Sequence, residues 1–236
     1  HRKSSRWIQN PVAAQKRTFE RLIEQARQTE FGKDHSFESI NSHTDFTRLV
    51  PVRDYEELKP YVERILEGES DVLWPGKPLY FAKTSGTTSG AKYIPITRPS
   101  IKEQVRASRN AILNYIHTTG NASFVDGRMI FLQGSPVLEE KNGIKTGRLS
   151  GISAHYVPGY LQKNRLPSWE TNCIEDWETK VGRIVDETIQ ENMTVIAGIP
   201  SWVQMYFEKL KDRSGKLIGE IFPEFQLFIY GGVNYE

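Results

Sequence analysis

One cysteine, Cys173, is the entire thiol content of the 236 residues. No intrachain disulfide can form, and four-Cys or Cys/His zinc sites are excluded, a usage that fits a reducing cytoplasm. Long hydrophobic runs are missing too. No stretch approaches the roughly 18–20 apolar residues a membrane-spanning helix needs, and the opening His1-Arg2-Lys3-Ser4-Ser5-Arg6 lacks the apolar core of an export signal. Nor is there an excess of charge of either sign. Thirty-one Lys and Arg stand against twenty-nine Asp and Glu, a net charge of +2, too balanced to raise the broad positive field that selects nucleic acids or anionic membranes. Neither partner is expected, and the chain reads as cytoplasmic.

What is present suits a buried core. Hydrophobic residues make up 38%, aromatics 11% and charged residues 25%, a globular balance for one large domain or a substantial part of a bigger one. The chain begins without Met and stops at Tyr235-Glu236, where the sequence signals neither a helix stop nor a loop. Both ends are therefore expected to be cuts in a longer protein.

The spacing of apolar residues predicts the elements. Asn10-Pro11 offers an N-cap and a first-turn proline, and Phe19, Leu22, Ile23 and Ala26 then fall on one helical face before Gly32. Asp54 and Glu57 form a capping-box pair ahead of Leu58, Val62, Ile65 and Leu66. Trp74-Pro75-Gly76-Lys77-Pro78 is turn-rich, so residues 1–75 read as a helical lead-in and 76–236 as a separate α/β region. There, strands are expected at 79–82, 93–96, 129–132, 194–197 and 226–230. Helices are expected from Ser100 to about Thr118, over about sixteen residues from Ile174 to Ile189, and from Pro200. The later part reads β-α-β-α-β, which favours a parallel sheet that binds ligands beyond the carboxyl ends of its strands. Residues 133–172, rich in glycine, proline and aromatics, read as an irregular, pocket-forming insertion.

The densest chemical signal is Lys83-Thr84-Ser85-Gly86-Thr87-Thr88-Ser89-Gly90-Ala91-Lys92. Hydroxyls, main-chain N–H groups and a lysine converge after a strand, and the glycines permit the positive φ and close approach that wrapping a phosphate requires. A polyphosphate is the natural guest. It is not a Walker A loop: that motif has four residues between its glycines and then Lys-Ser/Thr, whereas Gly86 and Gly90 have three residues between them and Tyr93 follows Lys92. The bland alternative is a flexible Ser/Thr/Gly surface loop.

TSGTTSGAK resembles the phosphate-binding signature of the adenylate-forming superfamily, usually close to TSGTTGxPK; here the second glycine comes one place later and the proline is missing. Together with LWPGKPLYFAKTSGTTSGAKYIPIT, GRLSGISAHYVPGYLQKNRLPSWETN, IAGIPSWVQMYFEKL and LFIYGGVNYE, it resembles a bacterial member of the auxin-responsive-promoter family of acyl-acid amido synthetases over essentially the whole chain. The resemblance implies activation of a carboxylic acid with ATP and Mg²⁺ to an acyl-adenylate, then transfer to an amino acid as an amide. It implies an α/β fold, here the partial large domain of an adenylate-forming enzyme with mixed or parallel sheets flanked by helices. On this chain, Thr84, Ser85, Gly86, Thr87, Thr88, Ser89 and Gly90 would hold the phosphates. Thr87, Thr88 and Lys92 would carry the catalytic weight, by positioning and charge stabilisation. Gly231, Gly232 and Val233 resemble the segment whose main chain lies against adenine, although a Gly-Gly after a strand is also an ordinary turn.

Other candidates have bland readings beside the functional ones. Gly134 and Ser135, after the strand at 129–132, would line an acyl pocket or merely end a strand. His155 would suit proton transfer, since imidazole changes charge near neutral pH, or serve as a hydrogen-bonded structural histidine. Arg106 and Arg109 would pair with a substrate carboxylate or face solvent; Tyr156, Tyr160 and Trp169 would shape a pocket or fill the core. Cys173 reads as a small buried hydrophobe. No metal ligands are assigned. The family's later Tyr-x-x-Ser-Glu and Tyr-Arg-x-Gly-Asp type segments do not occur before Glu236, so 76–236 is expected to be an incomplete large domain, inactive alone. The rivals are an acyl-CoA ligase and a non-catalytic nucleotide-binding protein of the same fold.

Overall fold

Helices dominate residues 7–70 because their apolar residues recur three and four apart. The computed structural model describes residues 7–84 and 90–231. Helix α1 spans Pro11–Ala26, with proline where its missing N–H leaves no bond unmade; Asn10 occupies the N-cap, yet its side chain accepts no hydrogen bond there. Helix α2 (Glu30–Asp34) is capped by Thr29, and α3 (His43–Leu49) by Ser42. Helix α4 (Tyr55–Leu66) starts on the expected capping box: Glu57 N–H donates to Asp54 Oδ1 and Asp54 N–H to Glu57 Oε2, each at 3.0 Å.

The described residues form two compact units. The first holds the residues up to Arg106 together with Glu139–Gly147, the second Ala107–Leu138 and the residues from Arg148 onward. In the first, β1 (Tyr80–Lys83) pairs antiparallel with β2 (Tyr93–Ile96) and parallel with β5 (Ile144–Gly147), while β4 (Glu139–Lys141) lies antiparallel on the far side of β5. Val62 and Ile65 of α4 pack with Val72, Phe81 and Ile144 to close the core over this sheet.

Helix α5 (Arg98–Thr119) runs across the division between the units and stops at Gly120, whose φ of +69° suits glycine. In the second unit, β3 (Arg128–Phe131), β6 (Arg165–Leu166), β7 (Met193–Ala197) and β8 (Leu227–Ile229) make a sheet in the order β6-β3-β7-β8, parallel throughout. Helices α6 (Leu149–Ala154), α7 (Gly159–Gln162) and α8 (Trp169–Asn172) precede α9 (Trp177–Thr188), α10 (Pro200–Ser214) and α11 (Ile218–Ile221). Ile130, Leu132, Met193 and Ile196 pack under Val181, Ile184 and Val185 of α9 and Val203, Tyr206 and Leu210 of α10. Met129 and Val195 pack on the opposite face with Phe124. Burial on both faces is why these strands read as unbroken apolar runs. From β3 the chain next joins the sheet at β6 and from β7 at β8, on opposite sides, so the carboxyl ends of β3 and β7 flank a topological switch point.

Two expectations are revised. The helix foreseen from Ile174 begins at Trp177, because the Asp176 carboxylate accepts the Thr179 N–H at 2.8 Å and fixes the N-cap there. The insertion at 133–172 is more regular than foreseen. It supplies the β4–β5 hairpin, whose two-residue turn places Asn142 at φ +50° and Gly143 at φ +77°, then three short helices and β6. No helix among the described residues is long and apolar enough to cross a membrane.

Candidate functional site

Strands β1 and β2 present the Ser/Thr/Gly loop. Their last register pair is Lys83 with Tyr93, and the ladder continues one step further where Thr84 N–H donates to Lys92 C=O at 3.0 Å. The loop is thus gripped at its base by main-chain bonds, which leaves the side chains of Thr84 and Lys92 free of that task. Gly90 has φ +82°, and among the described residues no atom lies within 4 Å of an added Cβ, so the need for glycine that they show is conformational. Lys92 Nζ lies 5.2 Å from the centroid of the Tyr55 ring. No carboxylate among the described residues forms an ion pair with it. Ser85, Gly86, Thr87, Thr88 and Ser89 lie outside the described residues, as do Gly232 and Val233 and the side chain of Tyr160.

In the second unit, the structure gathers Gly134, Ser135 and His155 around the segment that leaves β3. Gly134 N–H donates to Ser150 Oγ at 3.2 Å, and a Cβ at Gly134 would lie 2.6 Å from Arg148 Cδ. Ser135 is buried; its hydroxyl donates to Cys173 C=O at 3.3 Å and accepts the Val137 N–H at 3.3 Å. His155 is exposed and places Nε2 2.9 Å from Pro136 C=O; a carbonyl can only accept, so Nε2 carries the proton. Its ring meets Trp169 edge-on at 5.2 Å. The Ser135 hydroxyl and His155 Nε2 are therefore directed at main chain. Cys173 is half-buried, more open than its sequence reading. Arg106 is paired with Glu103 on its own helix, Arg109 is exposed, and Gly231 follows β8 with no atom of the described residues within 4 Å of an added Cβ.

Sequence reasoning missed Lys180. It is 2% exposed, and its Nζ donates to Gln133 C=O at 3.0 Å and to Asn172 C=O at 2.6 Å, tying the end of β3 to the end of α8. Burial pulls its ammonium down to about 8, with Glu175 and Cys173 opposing the shift. The signal lay in the spacing: Lys180 stands three after Trp177 and four before Ile184, on the apolar stripe of α9. Among the described residues no group of three or more His, Cys, Asp or Glu side chains is arranged to hold a metal ion.

The family model described as the GH3 family N-terminal domain matches residues 2–172. The chain belongs to the GH3 family. Relatives of the GH3 chain include the jasmonoyl–L-amino acid synthetase JAR4 of Nicotiana attenuata, 23% identical over 136 residues, which are 56% of this chain and 23% of that protein. The indole-3-acetic acid-amido synthetase GH3.15 of Arabidopsis thaliana is 31% identical over 117 residues, 47% of this chain and 19% of that one. The GH3.15 acyl acid amido synthetase has a similar fold, with a TM-score of 0.64 at 16% identity over 82% of this chain and 34% of that chain. The fold is likewise shared with AtGH3.15 in complex with 2,4-DB, at a TM-score of 0.60 and 20% identity over 86% of this chain and 37% of that one. The matches thus span a quarter or less of these two curated relatives and little more than a third of the solved chains. The resemblance to acyl-acid amido synthetases and the α/β fold with helix-flanked sheets both stand.

Proposed function

We propose that this GH3 chain serves the ATP-dependent activation of a carboxylic acid and its transfer to an amino acid as an amide, with the 84–92 loop as the phosphate grip. The observation that carries the reading is the base of that loop. It is closed by the Thr84–Lys92 main-chain bond, opened by a glycine at φ +82°, and flanked by a lysine whose charge no described carboxylate takes up. A triphosphate fits such a donor set: hydroxyls and main-chain N–H groups can donate to phosphate oxygens, and the ammonium offsets phosphate charge.

A carboxylate resists amines because oxide is a poor leaving group. ATP supplies the better one, and Mg²⁺ carried on the phosphate oxygens would neutralise their charge. The chain's own residues then bind and orient. Thr84, Ser85, Gly86, Thr87, Thr88, Ser89 and Gly90 hold the phosphate oxygens, Lys92 stabilises charge on the departing pyrophosphate, and the main chain of Gly231, Gly232 and Val233 takes the adenine. Gly134, Ser135 and His155 shape the approach of the acid.

The test is pyrophosphate release by the full-length protein across a panel of carboxylic acids, followed by amide detection with amino acids added. Lys92→Ala and Thr87→Ala are each expected to slow acid-dependent release by about 10²-fold or more, the scale of losing one charge-stabilising donor. Unchanged release in both variants would remove the loop from the reaction. A thioester formed with coenzyme A, and no amide, would move the protein to the acyl-CoA ligases.

A further inference from the structure

Lys92 does not depend on the loop alone for its place; a tyrosine from the helical part of the same unit reaches it. Tyr55 is the first residue of α4, and the reciprocal Asp54–Glu57 box fixes where that helix begins. Its ring lies beneath the Lys92 ammonium, and its Oη accepts the Tyr93 N–H at 2.8 Å. Tyr93 is in turn packed edge-on against Phe81 of β1, with ring centroids 6.1 Å apart. One side chain thus touches both the charge that ends the loop and the strand that leaves it.

The choice of partner matters chemically. A carboxylate beside Lys92 would compete with an incoming phosphate and have to be displaced. An aromatic face attracts the ammonium through its quadrupole, limits its wandering, and leaves its N–H donors and its full charge for an anion. Half-burial of both residues holds the contact without the desolvation a deep site would impose.

We infer that Tyr55 is a positioning residue for Lys92, pre-orienting the ammonium for the β- and γ-phosphates and pinning the exit strand of the loop. This rests on the phosphate reading of the loop given above. Tyr55 touches no reacting atom; it acts through Lys92 and Tyr93.

The experiment uses the full-length protein, with inorganic pyrophosphate and Mg²⁺ as the titrant in calorimetry and thermal melts to verify folding. Tyr55→Leu is expected to weaken pyrophosphate binding about fivefold, the scale of one exposed cation–π contact. Tyr55→Phe, which keeps the ring and loses only the Oη acceptor, should recover most of that loss. In a Lys92→Ala background, Tyr55→Leu should add less than about twofold, because the lysine it orients is gone. The ε-methylene protons of Lys92 should show an upfield ring-current shift that survives in Tyr55→Phe and vanishes in Tyr55→Leu. Tyr55→Leu binding pyrophosphate like the wild type while Lys92→Ala binds it weakly would overturn the role of Tyr55 and leave the phosphate reading intact. Equal losses with and without Lys92 would reduce Tyr55 to a structural part. Undiminished binding by Lys92→Ala, with the ring-current shift in place, would overturn both readings.

Discussion

The two units treat the polar groups at their strand ends in opposite ways. Beyond β3, Ser135, His155 and Lys180 aim their polar atoms at main-chain carbonyls, at distances between 2.6 and 3.3 Å, and so hold one segment of backbone in place. Beyond β1, the ladder bond from Thr84 to Lys92 fixes the backbone by itself, and the Lys92 ammonium rests on a ring. A polar group already spent on backbone has little left for a ligand, while one held by an aromatic face has nearly all of it. The difference separates architecture from chemistry more sharply than residue type does, since serine, histidine and lysine are all common in active sites.

The comparison breaks most readily at Gly151. A Cβ there would stand 2.3 Å from Ser135 C=O and 3.2 Å from Pro136 Cα, backbone atoms of the segment beyond β3. Nothing flexible can yield. Gly151→Ala is expected to destabilise the protein by about 3 kcal/mol, at the upper part of the usual range for overpacking, read from the urea midpoint. Gly90→Ala, which among the described residues meets no close neighbour and costs a strained φ, should lose about 1–2 kcal/mol and disturb pyrophosphate binding instead. A Gly151→Ala protein as stable as the wild type would mean that the segment beyond β3 is not held by close contact.

Lys180 sharpens the same contrast through pH. Its ammonium titrates at about 8 in the folded chain, against 10.5 for an unburied lysine. Between those values the unfolded chain binds more protons than the folded one, so this group makes stability rise with pH across the window from about 8 to 10.5. Below 8 both states are protonated and the contribution is flat at its least favourable level. Lys180→Met removes the titrating group, and urea denaturation from pH 7.5 to 10.5 should show a shallower rise than in the wild type. Parallel curves for the two proteins would show that the buried ammonium is not the source. Pyrophosphate binding should be unaffected at pH 7.5, because the lysine that serves the phosphate reading is Lys92.

Much of this fold was legible because its signals are local. Pro11, the Asp54–Glu57 pair and the apolar runs of β3 and β7 each act within a few residues, and the elements appear where spacing places them. The β4–β5 hairpin was not read, although Asn142-Gly143 is the dipeptide that a two-residue turn with two positive φ angles selects. Glu139-Glu140-Lys141 is an exposed edge strand with no apolar face, so periodicity carried no trace of it. The loop was legible as chemistry, from hydroxyls and glycines in one short run. Tyr55 was not: it lies 37 positions before Lys92, and only folding brings its ring under that ammonium. Lys180 sits on the α9 stripe, but lysine on a buried face contradicts its ordinary preference for solvent, so periodicity alone does not mark it.

His155 provides the finest discrimination. Its Nε2–H donates to Pro136 C=O at 2.9 Å on an exposed ring, a bond that a glutamine side-chain amide can reproduce with its own N–H. A histidine that only secures backbone should therefore tolerate His155→Gln with a loss of less than about 1 kcal/mol, the net worth of one such bond. The rate of amide formation and its pH profile should stay as they were. A histidine that moves a proton would behave otherwise, because glutamine neither gives nor takes one near neutral pH and the rate would fall by about 10²-fold or more. A stable His155→Gln protein with a collapsed rate would place chemistry beyond β3 after all, and the division of labour between the two units would have to be redrawn with proton transfer on the side of the parallel sheet.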